Sequence, residues 1–512
     1  MKSAYLLATG LFFIATGLHA TTLVTDGRSE YRILVEQQAP ESVHEAAAEL
    51  QRLMHLATGA DLAIVTTPTG SGPYIRLGQA AVQAGLVVRD LAHDGFRMRV
   101  HGADLLLAGA DEEVDAEAAG FSGAIGPDAA LQFYNIRRWH RSLSAGTYNA
   151  VIEFALRYLR ARWYFPGPLG EEIGHLEFLQ IAGDLDERIE PRFAMRRFAF
   201  TDYDERRARA ARDGTDDDYD LELVQASARW GRRLRHTNPI VLGNGHGWRQ
   251  WIPADQYSAR WIADAIDMPL YGAKHPEYFA LVDGVRQARF TSTAQHGGQL
   301  CVAYPPLRQT YVDNILAIAR QQPLTRMFSL AQNDGGQHCE CDLCRAWDPA
   351  GGGAEAGDVE SAFLTDRMLR FQNDIARRVR EQIPDAEFTA TAYHATGRAP
   401  LEQTVDPSIH VLGYYNYLPY RFHLAEKRQE LEQAMSGWSR ATGNFYFSTF
   451  YFAYGNYSLP WSSVDTQRWV IQLMVDNDLR GFNGYYGGGD SRAPMPQMGP
   501  DVWLLSQLVW DP

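Results

Sequence analysis

The chain lacks any surplus of basic residues. Its formal net charge is −14 over 512 residues. That argues against nucleic acid as a partner, because such binding rests on basic surface, and against adhesion to anionic membranes. Beyond the first twenty residues no apolar run is long enough to span a bilayer. Cysteine is scarce, with four residues, and none lies near residue 20 to carry a lipid anchor. The run Gly487-Gly488-Gly489 is too short and unpatterned for a phosphate-binding loop and reads as a turn.

What is present is the composition of an ordinary globular protein. Apolar residues make up 46% and charged residues 21%, enough for a large core in two or three domains. Aromatic content is 12%, with 25 Tyr and 12 Trp. Residues 1–20 read as a secretory signal: Lys2 is the charged start, Tyr5–Leu18 is mostly apolar, and Leu18-His19-Ala20 suits a cleavage site. The competing reading is a membrane anchor, but Gly10, Thr16 and Gly17 interrupt a short run. Signal removal implies a periplasmic or secreted protein with no membrane insertion.

Residues 21–190 read as a small α/β domain. Tyr31–Val35, Leu62–Val65, Tyr74–Leu77, Phe96–Val100 and Asp104–Ala108 have strand character between Gly, Pro and Asp turns. Ala46, Ala47, Leu50, Leu53, Met54 and Ala57 fall on one helical face, and Gly59 is placed to stop that helix. A second helix begins at Thr147-Tyr148. Over residues 191–512 short apolar runs alternate with helical stretches. The runs are Arg196–Thr201, Ile240–Leu242, Leu300–Ala303, Arg326–Ala331, Glu387–Thr391, His410–Tyr414, Phe445–Ser448 and Gly481–Gly484. The clearest helix is Ser361–Glu381, with Phe363, Met368, Phe371, Ile375 and Val379 on one face. Eight runs alternating with helices predict a (β/α)8 TIM-type barrel preceded by the small α/β domain. The apolar stretch Val502–Pro512 reads as a helix cut off as it finishes, the mark of a fragment or of a chain lacking a domain its relatives have.

In such a barrel, chemistry sits where strands end. The residues that follow the runs include Asp202, His246, Trp248, Asn333, Asp334, Tyr393, Tyr415, Asn416, Tyr451, Tyr485 and Asp490. Aromatic faces stack on sugar rings, while amides and carboxylates bind hydroxyls, so the mixture suits an oligosaccharide or a glycoprotein glycan. Asp334 is the candidate proton donor for a glycosidic oxygen, which leaves poorly unless protonated. The plainer alternative makes it a turn residue opening the Gly335-Gly336 loop. Glu277 and Asp490 are rival acid/bases. Cys301, Cys339, Cys341 and Cys344 suit one structural zinc, in which His338 could replace one thiolate, or two disulfides. Either role is structural. Nucleophilic cysteine chemistry is disfavoured among adjacent thiols in an oxidising compartment. Catalysis itself calls for no cofactor.

Several motifs resemble a known family. Gly146-Thr-Tyr-Asn-Ala-Val-Ile-Glu-Phe154, Arg162-Trp163-Tyr-Phe-Pro166-Gly167, Gly170-Glu171, His275-Pro-Glu-Tyr-Phe-Ala-Leu281, and Asn333-Asp334-Gly with the Cys-x-Cys-x-x-Cys run are similar to bacterial DUF4838 proteins. Those proteins resemble glycoside hydrolase family 163, which implies endo-β-N-acetylglucosaminidase activity on N-glycans. The first domain resembles the one preceding the barrel in β-hexosaminidases and α-glucuronidases. The resemblance implies substrate-assisted retention, with Asn333 orienting the 2-acetamido group and Asp334 as acid/base. The usual acid in that position is Glu, whereas this chain has Asp. Two other readings stand beside this one: a two-carboxylate glycosidase on uronic acid-containing or other glycans, and a catalytically silent glycan-binding protein.

Overall fold

The computed structural model describes residues 20–70, 72–112, 143–199, 221–237, 239, 246–255, 269–288, 298–321, 326–350, 363–415, 422, 424–450, 464–485 and 495–512. Residues 1–19, which fall in the stretch read as a secretory signal, and the run Ile240–Leu242 lie outside them. Among the described residues no helix is long and apolar enough to cross a membrane.

The chain divides into two compact units. The first takes the N-terminal residues up to Asp111, with Ala145–Ala161 and Ile173–Ile189. Its six-stranded sheet holds β1 (Arg32–Leu34), β2 (Ile64–Val65), β3 (Tyr74–Leu77), β4 (Phe96–His101), β5 (Asp104–Gly109) and β6 (Asp186–Ile189). The strand order is β6-β4-β5-β3-β1-β2. Helix α1 (Glu41–Thr58) buries the stripe expected from its periodicity. It ends at Gly59, whose φ of 75° lets its N–H reach the His55 carbonyl at 2.7 Å. Helix α2 (Gly146–Tyr158) starts where Gly146 lies against Gly109: a β-carbon on Gly146 would come within 2.4 Å of the Gly95 oxygen.

The second unit includes Arg162–Glu172 and Glu190–Pro512. Its sheet holds β7 (Met195–Ala199), β8 (Met327–Ser329), β9 (Glu387–Ala392), β10 (Ile409–Tyr414), β11 (Phe445–Phe450) and β12 (Gly481–Tyr485). All neighbours are parallel, in the order β7-β12-β11-β10-β9-β8. Strand β9 is buried on both faces, as a parallel strand between helices should be. Met195 on one edge strand and Met327 on the other share a core cluster with Leu412 and Tyr446, so the sheet curls toward itself. Helix α3 (Thr365–Arg380) buries Met368, Phe371, Ile375 and Val379.

Six of the eight expected barrel strands form this curled parallel half-barrel. A full eight-stranded barrel is not what the described residues form. Leu300–Ala303, expected as a strand, is a buried turn. Leu300 makes one antiparallel bridge to Phe279, and the chain then turns at Cys301–Tyr304 into the helix Pro305–Gln321. The apolar run reflects burial against the cysteine loop rather than sheet pairing.

Candidate active site

Parallel pairing sends β8 and β9 out at the same sheet edge. Met327 to Ser329 pair with Glu387 to Thr389, and the Leu330 N–H still reaches the Thr389 carbonyl at 2.7 Å. The segment after β8 therefore lies beside the one after β9, at the carboxyl ends where α/β sheets bind ligands. Gln332 joins the two. Its Nε2 donates to the Thr396 hydroxyl at 2.9 Å, and its Oε1 accepts from the Thr391 hydroxyl at 3.1 Å.

Asn333 is 3% exposed, and the backbone engages both ends of its side-chain amide. Nδ2 donates to the Gly298 carbonyl at 2.8 Å, and Oδ1 accepts the Arg249 N–H at 3.2 Å. The orienting role expected for this amide therefore meets a different geometry: Asn333 pins three segments together instead of facing open space. Gln299, 2% exposed, completes the brace. Its Nε2 donates to the Asn333 carbonyl at 2.7 Å and to the Gly335 carbonyl at 3.1 Å. The carbonyls on both sides of Asp334 are thus held by one side chain, while the Asp334 carboxylate is half-buried and accepts the Gly335 N–H at 3.0 Å.

His246 lies close to Asp334. Burial pushes its pKa down, and the Asp334 charge and a 3.2 Å contact with the Gln332 carbonyl oppose that shift, whereas Arg249 and His394 add to it. The imidazole beside Asp334 is thereby biased toward its neutral form. From the β9 side come Tyr393, half-buried, and His394, exposed, with ring centroids 3.8 Å apart. His394 adopts a φ of 49°, a conformation uncommon for residues other than glycine and frequent at functional sites.

Other expected site residues lie elsewhere. Trp248 is fully buried: its indole N–H donates to the Leu330 carbonyl at 3.0 Å, and its ring packs edge-on against Phe371. It is a core residue that seats the short helix Trp248–Trp251 on β8 and has no face left for a sugar. Gly247 allows that seating, because a β-carbon there would meet the Ser329 hydroxyl at 2.3 Å. Tyr415 is 6% exposed, stacks on Phe447 and donates to the Gly397 carbonyl at 3.2 Å, so it too is structural. The rival acid Glu277 has a side chain 41% exposed and 3.1 Å from His275 Nδ1. Its own backbone N–H and His275 lower its pKa, which is the wrong direction for a proton donor. Asp202, Asn416, Tyr451 and Asp490 lie outside the described residues, as does the side chain of Tyr485.

The four cysteine sulfurs gather within 4.8 Å of one another, without His338. None is in a disulfide. The residues that build the brace, Gln299, Gln332 and Arg249, were not singled out from sequence. Their bonds run between distant segments and leave no local pattern.

A family model for a domain of unknown function, DUF4838, matches residues 166–512. The chain belongs to the DUF4838 family. The motif at 146–154 lies ahead of the matched range. No curated protein matches the chain. Among solved structures, this DUF4838 protein is similar to a family GH115 4-O-methyl-α-glucuronidase with specificity for decorated arabinogalactans, at 14% identity and a TM-score of 0.47 over 95% of this chain. The chain spans 57% of that enzyme's length. It is also similar to Streptomyces plicatus N-acetyl-β-hexosaminidase, at 14% identity and a TM-score of 0.41, covering 97% of this chain and 88% of that one. A third is the β-N-acetylhexosaminidase of Bacteroides fragilis NCTC 9343, at 13% identity and a TM-score of 0.42, covering 96% and 88%.

Proposed function

We propose that this DUF4838 protein is an exported glycoside hydrolase acting on N-acetylglucosamine-containing glycans, with Asp334 as the proton donor. The observation that carries the reading is the setting of Asp334. It is a half-buried carboxylate beyond the carboxyl end of a parallel strand, its flanking carbonyls both held by Gln299, and it accepts the N–H of Gly335 among the described residues. A clamped backbone under a half-buried carboxylate suits a group that must meet a glycosidic oxygen at one fixed place. His246, biased toward its neutral form, and the Tyr393–His394 pair supply neighbours that can bind hydroxyls.

In this reading the substrate's 2-acetamido oxygen attacks the anomeric carbon while the Asp334 carboxyl protonates the leaving oxygen. Water then opens the cyclic intermediate, and Asp334 takes the proton back. Asn333 acts through position: it fixes the segment that carries Asp334. The engagement of the Asn333 amide also favours a second reading, a two-carboxylate glycosidase acting on a uronic acid-containing glycan, because the residue best placed in sequence to polarise an acetamido group is occupied. Reporter glycosides separate the two. Turnover of N-acetylglucosaminides but not glucuronides supports the first reading, the reverse supports the second, and glycan binding with no turnover of either would leave a binding protein.

A further inference from the structure

The cysteine cluster supports a conclusion that does not depend on the glycosidase reading. We infer that Cys301, Cys339, Cys341 and Cys344 hold one tetrahedral zinc ion, which fixes the loop carrying Asp334. Three observations converge. The first is spacing. Cys301 Sγ is 3.5 Å from Cys341 Sγ and 3.8 Å from Cys344 Sγ, and all four sulfurs lie within 4.8 Å of one another. Zn–S bonds of about 2.3 Å in a tetrahedron set sulfurs about 3.8 Å apart. A disulfide brings two sulfurs to about 2.0 Å and has no need of the other pair. One shared centre accounts for the arrangement of all four.

The second observation is burial. Cys301, Cys339 and Cys344 are at most 1% exposed, so solvent has little access to the cluster. The third is the surrounding donors. The Leu281 N–H points at Cys339 Sγ at 3.3 Å, and the Arg286 guanidinium lies 3.8 Å from the same sulfur. Four thiolates on a divalent ion leave a net charge of −2, and N–H groups and a cation directed at sulfur offset it. Arg286 is held for this by the Phe279 carbonyl at 2.8 Å. From the other side, the buried Arg367 donates to the Cys339 carbonyl at 2.8 Å and is itself paired with Asp348.

Zinc would join segments far apart in sequence. Cys301 follows the bridge at Leu300, Cys339 and its neighbours follow Asp334, and the hairpin Ala280–Gln287 packs over both through the Glu340 N–H to the Leu281 carbonyl at 2.8 Å. Gln299, two residues before Cys301, is the side chain that grips both carbonyls around Asp334. The ion therefore sets the distance between the gripping residue and the loop it grips. With four thiolates the ion has no open position for water or another ligand, so its role is structural.

The test uses the full chain as purified. Elemental analysis should return about one zinc per chain. Thiol titration of the native protein should show no reactive cysteine until a strong chelator is added. Cobalt(II) exchanged into the site should give the thiolate charge-transfer and intense d–d bands of a tetrahedral sulfur centre. Cys341→Ser, the variant at the least buried position, should lose most of its zinc. If that variant does not fold, the wild-type metal count and cobalt spectrum still decide the matter. Two disulfides without metal, four reduced thiols without metal, iron in place of zinc, or undiminished zinc in Cys341→Ser would each overturn the assignment.

Discussion

Replacing Asn333 by alanine separates two roles that the residue's position alone leaves entangled. If Asn333 braces the loop, Asn333→Ala strands two buried backbone groups, the Gly298 carbonyl and the Arg249 N–H, which it now satisfies at 2.8 Å and 3.2 Å. A buried polar group left without a partner costs about 1–3 kcal/mol, so the loss is about 2–6 kcal/mol. At about 2 °C per kcal/mol for a unit this large, Tm falls by about 4–12 °C. The Gln299 contact to the Asn333 carbonyl survives, because it does not involve the side chain, so the fold should persist. Scanning calorimetry gives Tm, and steady-state kinetics on a reporter glycoside give kcat and KM. The bracing account expects a lower Tm, and a kcat that falls because Asp334 is less well placed. An unchanged Tm with a collapsed kcat would refute it and return the amide to direct contact with substrate.

Trp248→Ala should lower stability by about 3–5 kcal/mol, the usual cost of emptying a buried aromatic site, and melting curves will show it; an intact Tm with a raised KM would instead make Trp248 a sugar platform. Burial holds the His246 pKa below the ordinary histidine value of about 6.5. As pH falls below that value the unfolded chain takes the proton more readily, so wild-type stability declines from about 6.5 downward. His246→Gln, measured between pH 7 and pH 5, should show a shallower decline, and parallel curves would contradict the assignment. Asp366 is fully buried and accepts the N–H groups of Leu401, Glu402 and Gln403 at 3.0, 2.7 and 2.7 Å. Asp366→Ala leaves all three without their acceptor and should cost about 3–5 kcal/mol in chemical denaturation; a cost below about 1 kcal/mol would mean that water replaces the carboxylate.

Local pattern made much of the fold legible. The stripe on α1 and its glycine stop, the face of α3, and six of the parallel strands follow from periodicity and turn residues. Leu300–Ala303 misled because a short apolar run reports burial and not conformation; here the burial serves a turn beside the cysteines. The gathering of the four cysteines was legible because their spacing restricts what they can do; the role given to Asp334 is a proposal. Trp248 and Tyr415 were not legible, since an aromatic residue after a strand can face the core as readily as a ligand. The amide grip of Gln299 and Gln332 could not be read at all, because it joins residues 34 to 64 positions apart.

The central claim is that Asp334 delivers a proton to the leaving oxygen. The direct test compares wild type with Asp334→Asn on two N-acetylglucosaminides, one with a poor alcohol leaving group and one with an activated aryl group that departs without protonation. The account predicts that the variant keeps its Tm, loses about 10²–10⁴-fold in kcat/KM on the poor leaving group, and retains most of its kcat/KM on the activated one, while kcat on the activated one falls because the water that opens the intermediate has lost its base. Equal losses in kcat/KM on both substrates, or near-normal turnover of the poor one, would contradict it.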